Sequence, residues 1–277
     1  MPVVATNTAA NSALRFLNNN SAAASGSVGK LASGSRIVKA SDDAAGLAIG
    51  TRLKADVTAL TQAGINASQG ASVVQVADGG LSRIADVLQR MKALAAQSLS
   101  GVPTNTERGF IDAEFQELRS EITDIANTTR FNGQSLLNGT AAPTDYFVGT
   151  DVSDTITVAF TALAGSVAGY TNALLGVTGN VASANAASAA MSAVDRAIDL
   201  VSEARATAGA LISRFEFRGQ QIATSLENID AAKSAIMDVD LAAEQSKLVS
   251  NQVLVQAAVS AVSQANQIPQ SLLRVLQ

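Results

Sequence analysis

The apolar positions of this chain recur at alternating intervals of three and four over most of its length, the spacing of a helical seam buried from end to end. In the first block Leu14, Leu17, Ala24, Val28 and Leu31 fall on one such seam, with Ser21 its polar member. A second seam runs from Leu53 through Val57, Leu60, Gly64, Ala67, Ala71, Val74, Leu81, Ala85 and Leu88, broken at Asp78 beside the helix-weakening Gly79-Gly80 pair. If continuous from Ala44 to Ser100, this helix is roughly 85 Å long at about 1.5 Å per residue. A turn over Gly101 to Asn105 precedes a third seam of Ile111, Phe115, Leu118, Ile122 and Ile125, as an antiparallel return requires. The fourth begins near Met191 and passes through Val194, Ile198, Val201, Ala208, Ile212, Phe215, Ile222, Leu226, Ile229 and Ile236, with Arg205, Gly219 and Lys233 as exceptions. The last carries Leu241, Leu248, Val255 and Val262 at intervals of seven, flanked by Leu254 and Val259, before Pro269 interrupts it.

The middle reads differently. From about Thr140 to Asn185 the chain is rich in Thr, Ser, Gly and Ala, and the alternation from Thr155 to Phe160 is that of a half-buried strand. Just before it, the string FNGQSLLNG carries two turn signals, Asn132-Gly133 and Asn138-Gly139, which predict a hairpin. The fold class expected is therefore mainly α: long antiparallel helices with a coiled-coil terminal region, a β-hairpin, and a small β-containing insertion.

Composition sharpens this picture by subtraction. The 277 residues include no Cys, His or Trp and only 4% aromatic residues, yet 47% are hydrophobic, chiefly Ala and Val. Small apolar side chains bury little area each and suit close contact between helices better than a thick private core. Thiol nucleophiles, imidazole bases and zinc fingers have no residues to work with. A net charge of -4, with 15% charged residues, offers no electrostatic footprint for nucleic acid. No apolar run approaches the ~20 residues that span a bilayer. The N-terminal stretch lacks the basic start and apolar block of a cleavable signal.

Charge is unevenly placed, and that bears on function. Before Asp42 there is no acid, only Arg15, Lys30, Arg36 and Lys39; beyond Leu241 only Glu244, Lys247 and Arg274 are charged. Such helices lose about 1–2 kcal/mol of backbone entropy per residue on ordering and must recover it by burying a seam. The ends should pair with each other or with other copies. Periodicity alone weighs a self-contained bundle and an assembly about equally.

Candidate chemistry is sparse. Asp42-Asp43 reads as a helix start, with Ser41 as N-cap and both carboxylates in the first turn, rather than as a catalytic or cation-binding pair. Gly26, Gly29 and Gly34 lack phosphate-loop spacing. No catalytic, cofactor-binding or metal-ligating residue is assigned, and no cofactor is expected.

Specific strings decide between the two readings. KLASGSRIVKASDDAAGLAIG (30–50), LQRMKALAAQS (88–98), FNGQSLLNG (131–139), ENIDAAKSAIMDVDLAAE (227–244) and QANQIPQSLLRVLQ (264–277) together resemble the bacterial flagellins at both ends of the chain, over roughly residues 1–140 and 185–277. The resemblance implies a subunit exported unfolded and polymerised into the extracellular flagellar filament, in partnership with further copies, an export chaperone, and cap and hook-junction proteins. It divides the chain into 1–43 and 237–277 as an inner coiled-coil region, 44–139 and 185–236 as a helical rod with hairpin, and 140–184 as a variable surface insertion. Self-assembly is expected to rest on Leu14, Leu17, Val28 and Leu31 at one end and Leu248, Val255, Val262, Leu272 and Leu273 at the other. Gln89, Arg90, Leu94 and Glu114 match positions that Toll-like flagellin receptors engage in related proteins, although Ala93 stands where the family often has an acid. An intramolecular Arg90–Glu114 ion pair is the plainer reading of two of them. The alternatives carried forward are a hook-filament junction protein and a surface ligand for innate receptors.

Overall fold

The computed structural model describes residues 7–140, 142–160, 171 and 175–275, with side chains as far as 267. Its elements run α1 (Thr8–Ser33), α2 (Ala44–Leu99), α3 (Asn105–Thr128), β1 (Arg130–Phe131), β2 (Gln134–Ser135), β3 (Thr144–Phe147), β4 (Thr155–Val158), α4 (Ala184–Met237) and α5 (Leu241–Val275). Two compact units divide the chain, 1–57 with 228–277, and 58–227.

In the first unit α1 and α5 pair antiparallel. The Asn7 side chain donates to the Ala265 carbonyl at 2.8 Å, and at the other end Ser27 Oγ donates to Glu244 Oε1 at 2.7 Å. Asn7 also caps α1, accepting from Ala10 N–H at 3.0 Å, and Gly34 ends the helix with φ 68°, a left-handed conformation that costs glycine nothing. The two interhelical breaks face one another: Arg36 N–H donates to the Met237 carbonyl at 2.7 Å and Val239 N–H to the Gly34 carbonyl at 3.1 Å.

The start of α2 corrects the expected cap. Asp43, not Ser41, is the N-cap, its Oδ1 accepting from Gly46 N–H at 2.8 Å, while Asp42 folds back to accept from Val38 and Lys39 N–H at 3.1 and 2.9 Å. The two carboxylates thus serve different backbone groups, one starting the helix and one closing the loop. Those loop hydrogen bonds, from Lys39 first and then Val38, hold the Asp42 carboxyl below the usual carboxylate range.

In the second unit α2 runs antiparallel to both of its helical neighbours. Arg90 meets Glu114 and Arg108 Nε donates to the Ser98 carbonyl across the α2–α3 return. Lys92–Asp195 and Asp78–Arg205, both ion pairs, and the Gly70–Phe215 approach join α2 to α4. A capping box starts α3: Thr104 N–H donates to Glu107 Oε2 at 2.7 Å and Glu107 N–H to Thr104 Oγ1 at 3.4 Å. The seams bury Leu81, Ile84, Leu88, Met91, Phe115, Ile122, Val201 and Phe215.

The exceptions in the seams have partners. Asp78 and Arg205, which interrupt the second and fourth seams, meet at 2.9 Å between Oδ1 and Nε. The Gly79-Gly80 pair lies within an unbroken α2, and a Cβ on Gly80 would stand 2.5 Å from Thr129 Oγ1 and 2.8 Å from Leu137 Cδ1. Glycine is needed there for the hairpin region to lie against the helix.

Asn132 and Gly133, with φ of 49° and 81°, form the two central residues of the β1–β2 hairpin, both left-handed as a primed turn demands. Asn138-Gly139 makes a different turn. There Asn138 Oδ1 accepts from Thr140 N–H at 3.1 Å and Thr140 Oγ1–H at 2.7 Å. Strand β4 buries Ile156 and Val158 and exposes Thr155 and Thr157, the alternation the sequence predicts, and pairs antiparallel with β3. The β3–β4 hairpin sits on the helices through Tyr146, edge-on to Phe215 at 5.7 Å, and through Asn66 Nδ2, which donates to the Phe147 carbonyl at 3.0 Å.

Candidate functional site

The α1–α5 pair carries most of the residues expected to drive assembly, but not all on the predicted side. In α1 Ala10, Ala13, Leu17, Asn20, Ala24, Ser27 and Leu31, spaced by three and four, form a row of less exposed positions, with Gly29 and Lys30 also partly covered beside its end. Leu17, Ala24 and Leu31 therefore lie in the seam as expected, whereas Leu14 at 48% exposure and Val28 at 50% lie outside it. In α5 the seam is Glu244, Leu248, Asn251, Val255, Ala258, Val262 and Ala265, which places Leu248, Val255 and Val262 inward and leaves Leu241 59% exposed. Ala10, Ala13, Ala24, Ala258 and Ala265 alternate in the seam with the larger Leu17, Leu31, Leu248, Val255 and Val262. The side chains of Leu272 and Leu273 lie outside the described residues.

This arrangement leaves an apolar surface on each helix. Leu14, Phe16 and Val28 on α1, and Val249, Val253, Leu254 and Val259 on α5, are each 47–59% exposed. A groove of about 500 Å³ runs between the helices, lined by Ala24, Val28, Leu248 and Val255 with Ser21, Ser25, Gln252 and Gln256. Val249 and Val253, one turn apart, share a face of α5, while Leu254 and Val259 stand on other sides of it.

The buried polar pair in this seam escaped the sequence reading. Ser27 and Glu244 are 5% and 6% exposed, and Lys247 Nζ lies 3.2 Å from Glu244 Oε2. The Ser27 hydroxyl, and after it the ammonium groups of Lys247 and Lys30, hold the Glu244 carboxyl below its ordinary range against the opposing effect of burial. The signal was present: Glu244 is an acid at a seam position, four residues before Leu248 and seven before Asn251 in the same row.

The second expected site, on α2 and α3, is split. Gln89, Arg90 and Glu114 are exposed, with Arg90 Nε and Nη2 donating to Glu114 Oε1 at 2.8 and 2.6 Å, the ion pair that the plainer reading anticipated. Leu94 is 2% exposed and turned into the core of its unit, so it presents no surface to a partner. Leu94 was included only by the resemblance, which says nothing of how its side chain packs in this chain.

Among the described residues no cluster of metal-ligating side chains occurs, and no helix is long and apolar enough to cross a membrane. Paired terminal helices with half-exposed apolar residues, together with a second unit built on antiparallel helices, fit a structural protein of the self-associating helical class. The bacterial flagellin N-terminal helical region matches residues 4–142 and the C-terminal helical region residues 191–276, so the chain belongs to the bacterial flagellin family. It is a structural subunit of the flagellar filament and not an enzyme. A flagellin of Halalkalibacterium halodurans is 37% identical over 89% of both chains, and the flagellar filament 30.7 kDa core protein of Treponema maltophilum is 32% identical over 95% of both. The crystal structure of Bacillus cereus flagellin superposes with a TM-score of 0.50 at 26% identity, covering 61% of this chain and 94% of that one. These matches favour the filament subunit over the hook-filament junction protein.

Proposed function

We propose that the α1–α5 pair is the polymerisation element, and that its outward apolar residues, not its inner seam, make the contacts between copies. The observation that carries this reading is the half exposure of Leu14, Phe16 and Val28 on α1 and of Val249, Val253, Leu254 and Val259 on α5, in a pair whose inner seam is already filled by other residues. Leu17, Leu31, Leu248, Val255 and Val262 then act indirectly by holding the pair together. Residues 1–43 and 237–277 form the inner coiled-coil region, 44–139 and 185–236 the rod, and 140–184 the outward insertion. The subunit is extracellular in the flagellum, is exported with a chaperone, and meets cap and hook-junction proteins at the ends of the filament, where the helical lattice turns rotation into thrust.

Deletion of residues 1–40 tests the assignment. Electron microscopy should show no filaments while circular dichroism still reports the helices of residues 58–227; filaments formed without α1 would overturn it. A second reading, recognition by a Toll-like receptor, is favoured by the exposed Gln89, Arg90 and Glu114 and rests on those three without Leu94. Monomer carrying Arg90→Ala and Glu114→Ala should bind such a receptor more weakly, and unchanged affinity would defeat the idea.

A further inference from the structure

We infer that Asn138 is a site of spontaneous covalent modification, cyclising onto the Gly139 backbone nitrogen and opening to aspartate or isoaspartate, with Thr140 supplying the groups that promote it. The chain holds two Asn-Gly steps within one short string, and the structure treats them differently. Asn132 sits at the tip of a primed turn with φ 49°, and among the described residues no hydrogen bond holds its side chain. Asn138 Oδ1 instead accepts two hydrogen bonds from Thr140, from N–H at 3.1 Å and from Oγ1–H at 2.7 Å. That turn folds the Asn138 side chain over its own backbone, closing a ring of which Gly139 N is a member. Glycine at 139, with φ 83°, sets no side chain beside that nitrogen.

The chemistry balances with water alone. Gly139 N attacks Asn138 Cγ as its N–H proton passes to solvent, and the carbonyl electrons move onto Oδ1, where the two Thr140 donors receive the developing charge as an oxyanion site does. Collapse breaks the Cγ–Nδ2 bond and releases Nδ2 as ammonia, with a proton taken from water. The five-membered imide then adds water at either carbonyl, leaving a carboxylate on 138. Access and accommodation are both present. Asn138 and Thr140 line an open polar depression of about 540 Å³ together with Arg130, Gln134 and Thr144, so water reaches the imide and a guanidinium stands in the same depression as the new charge.

The full chain, aged at about pH 8.5 and 37 °C, where the attacking amide loses its proton more readily, can be followed by peptide mapping with fragmentation and by enzymatic methylation of isoaspartate. Asn138 should convert before Asn132. Thr140→Val should slow conversion at 138 roughly five- to tenfold, less than the ~10²–10³ that a donor in an enclosed oxyanion site supplies, because solvent competes here. It should leave 132 unchanged. Asn138→Gln should abolish the signal at 138. Conversion led by Asn132, or a rate at 138 indifferent to Thr140→Val in a chain with the wild-type dichroism spectrum, would overturn the inference.

Discussion

Replacing Ser27 by Ala probes the polar contact buried between the terminal helices. The Ser27 hydroxyl donates at 2.7 Å to a Glu244 carboxylate that is 6% exposed and whose other partner, Lys247, is largely in solvent. Loss of a hydrogen bond to a charged group costs about 1.5–3 kcal/mol, and two helices with open flanks place this one at the lower end, about 1.5 kcal/mol. Native-state hydrogen exchange of the α1 and α5 amides reads that as roughly tenfold faster opening at about pH 7. The pH dependence fixes the cause. Because the folded Glu244 carboxyl titrates below its ordinary value of 4.5, its contribution is fully present above that value and is lost as pH falls through the lower folded one. The charged groups set against it are Lys30 on α1 and Lys247 on α5. The wild-type and Ser27→Ala chains should therefore converge in acid, and Glu244→Gln, which keeps an acceptor, should show a smaller effect with no slope. Equal differences at neutral and acid pH would refute the reasoning, as would none at either.

Gly70→Ala would place a Cβ 2.5 Å from the ring of Phe215 and should cost about 1–3 kcal/mol by overpacking, seen as a lower urea midpoint at unchanged slope. Asp78→Ala and Arg205→Ala, combined in a double-mutant cycle, should couple by only about 0.5–1 kcal/mol, falling with salt, since both groups are partly exposed. Asp112→Ala should free the segment that returns from the insertion. Asp112 Oδ1 accepts from Val181 N–H at 2.8 Å beside the Ser98-to-Val181 contact, and limited proteolysis near 178–181 should quicken severalfold.

Much of this molecule is written in local pattern. Seam spacing located every long helix, Asn132-Gly133 placed the primed turn because only such residues take positive φ cheaply, and the alternation at Thr155–Val158 gave a strand with one buried face. Motif strings at both ends carried the family. What the sequence could not decide is which of two adjacent rows a helix turns inward when the candidates are Leu14 and Ala13, or Val28 and Ser27, because hydrophobicity favours the larger residue while close approach of two backbones favours the smaller. The tertiary structure turned the smaller residue inward at both places, and left Leu14 and Val28 about half exposed. The same holds for Asp78 and Arg205, and for Ser27 and Glu244: each is an interruption when read along one helix, and each is satisfied only when antiparallel pairing brings a residue from far along the chain to within hydrogen-bond distance. Leu94 shows the converse, a residue whose place on α2 is legible but whose burial is fixed by helices that return to cover it.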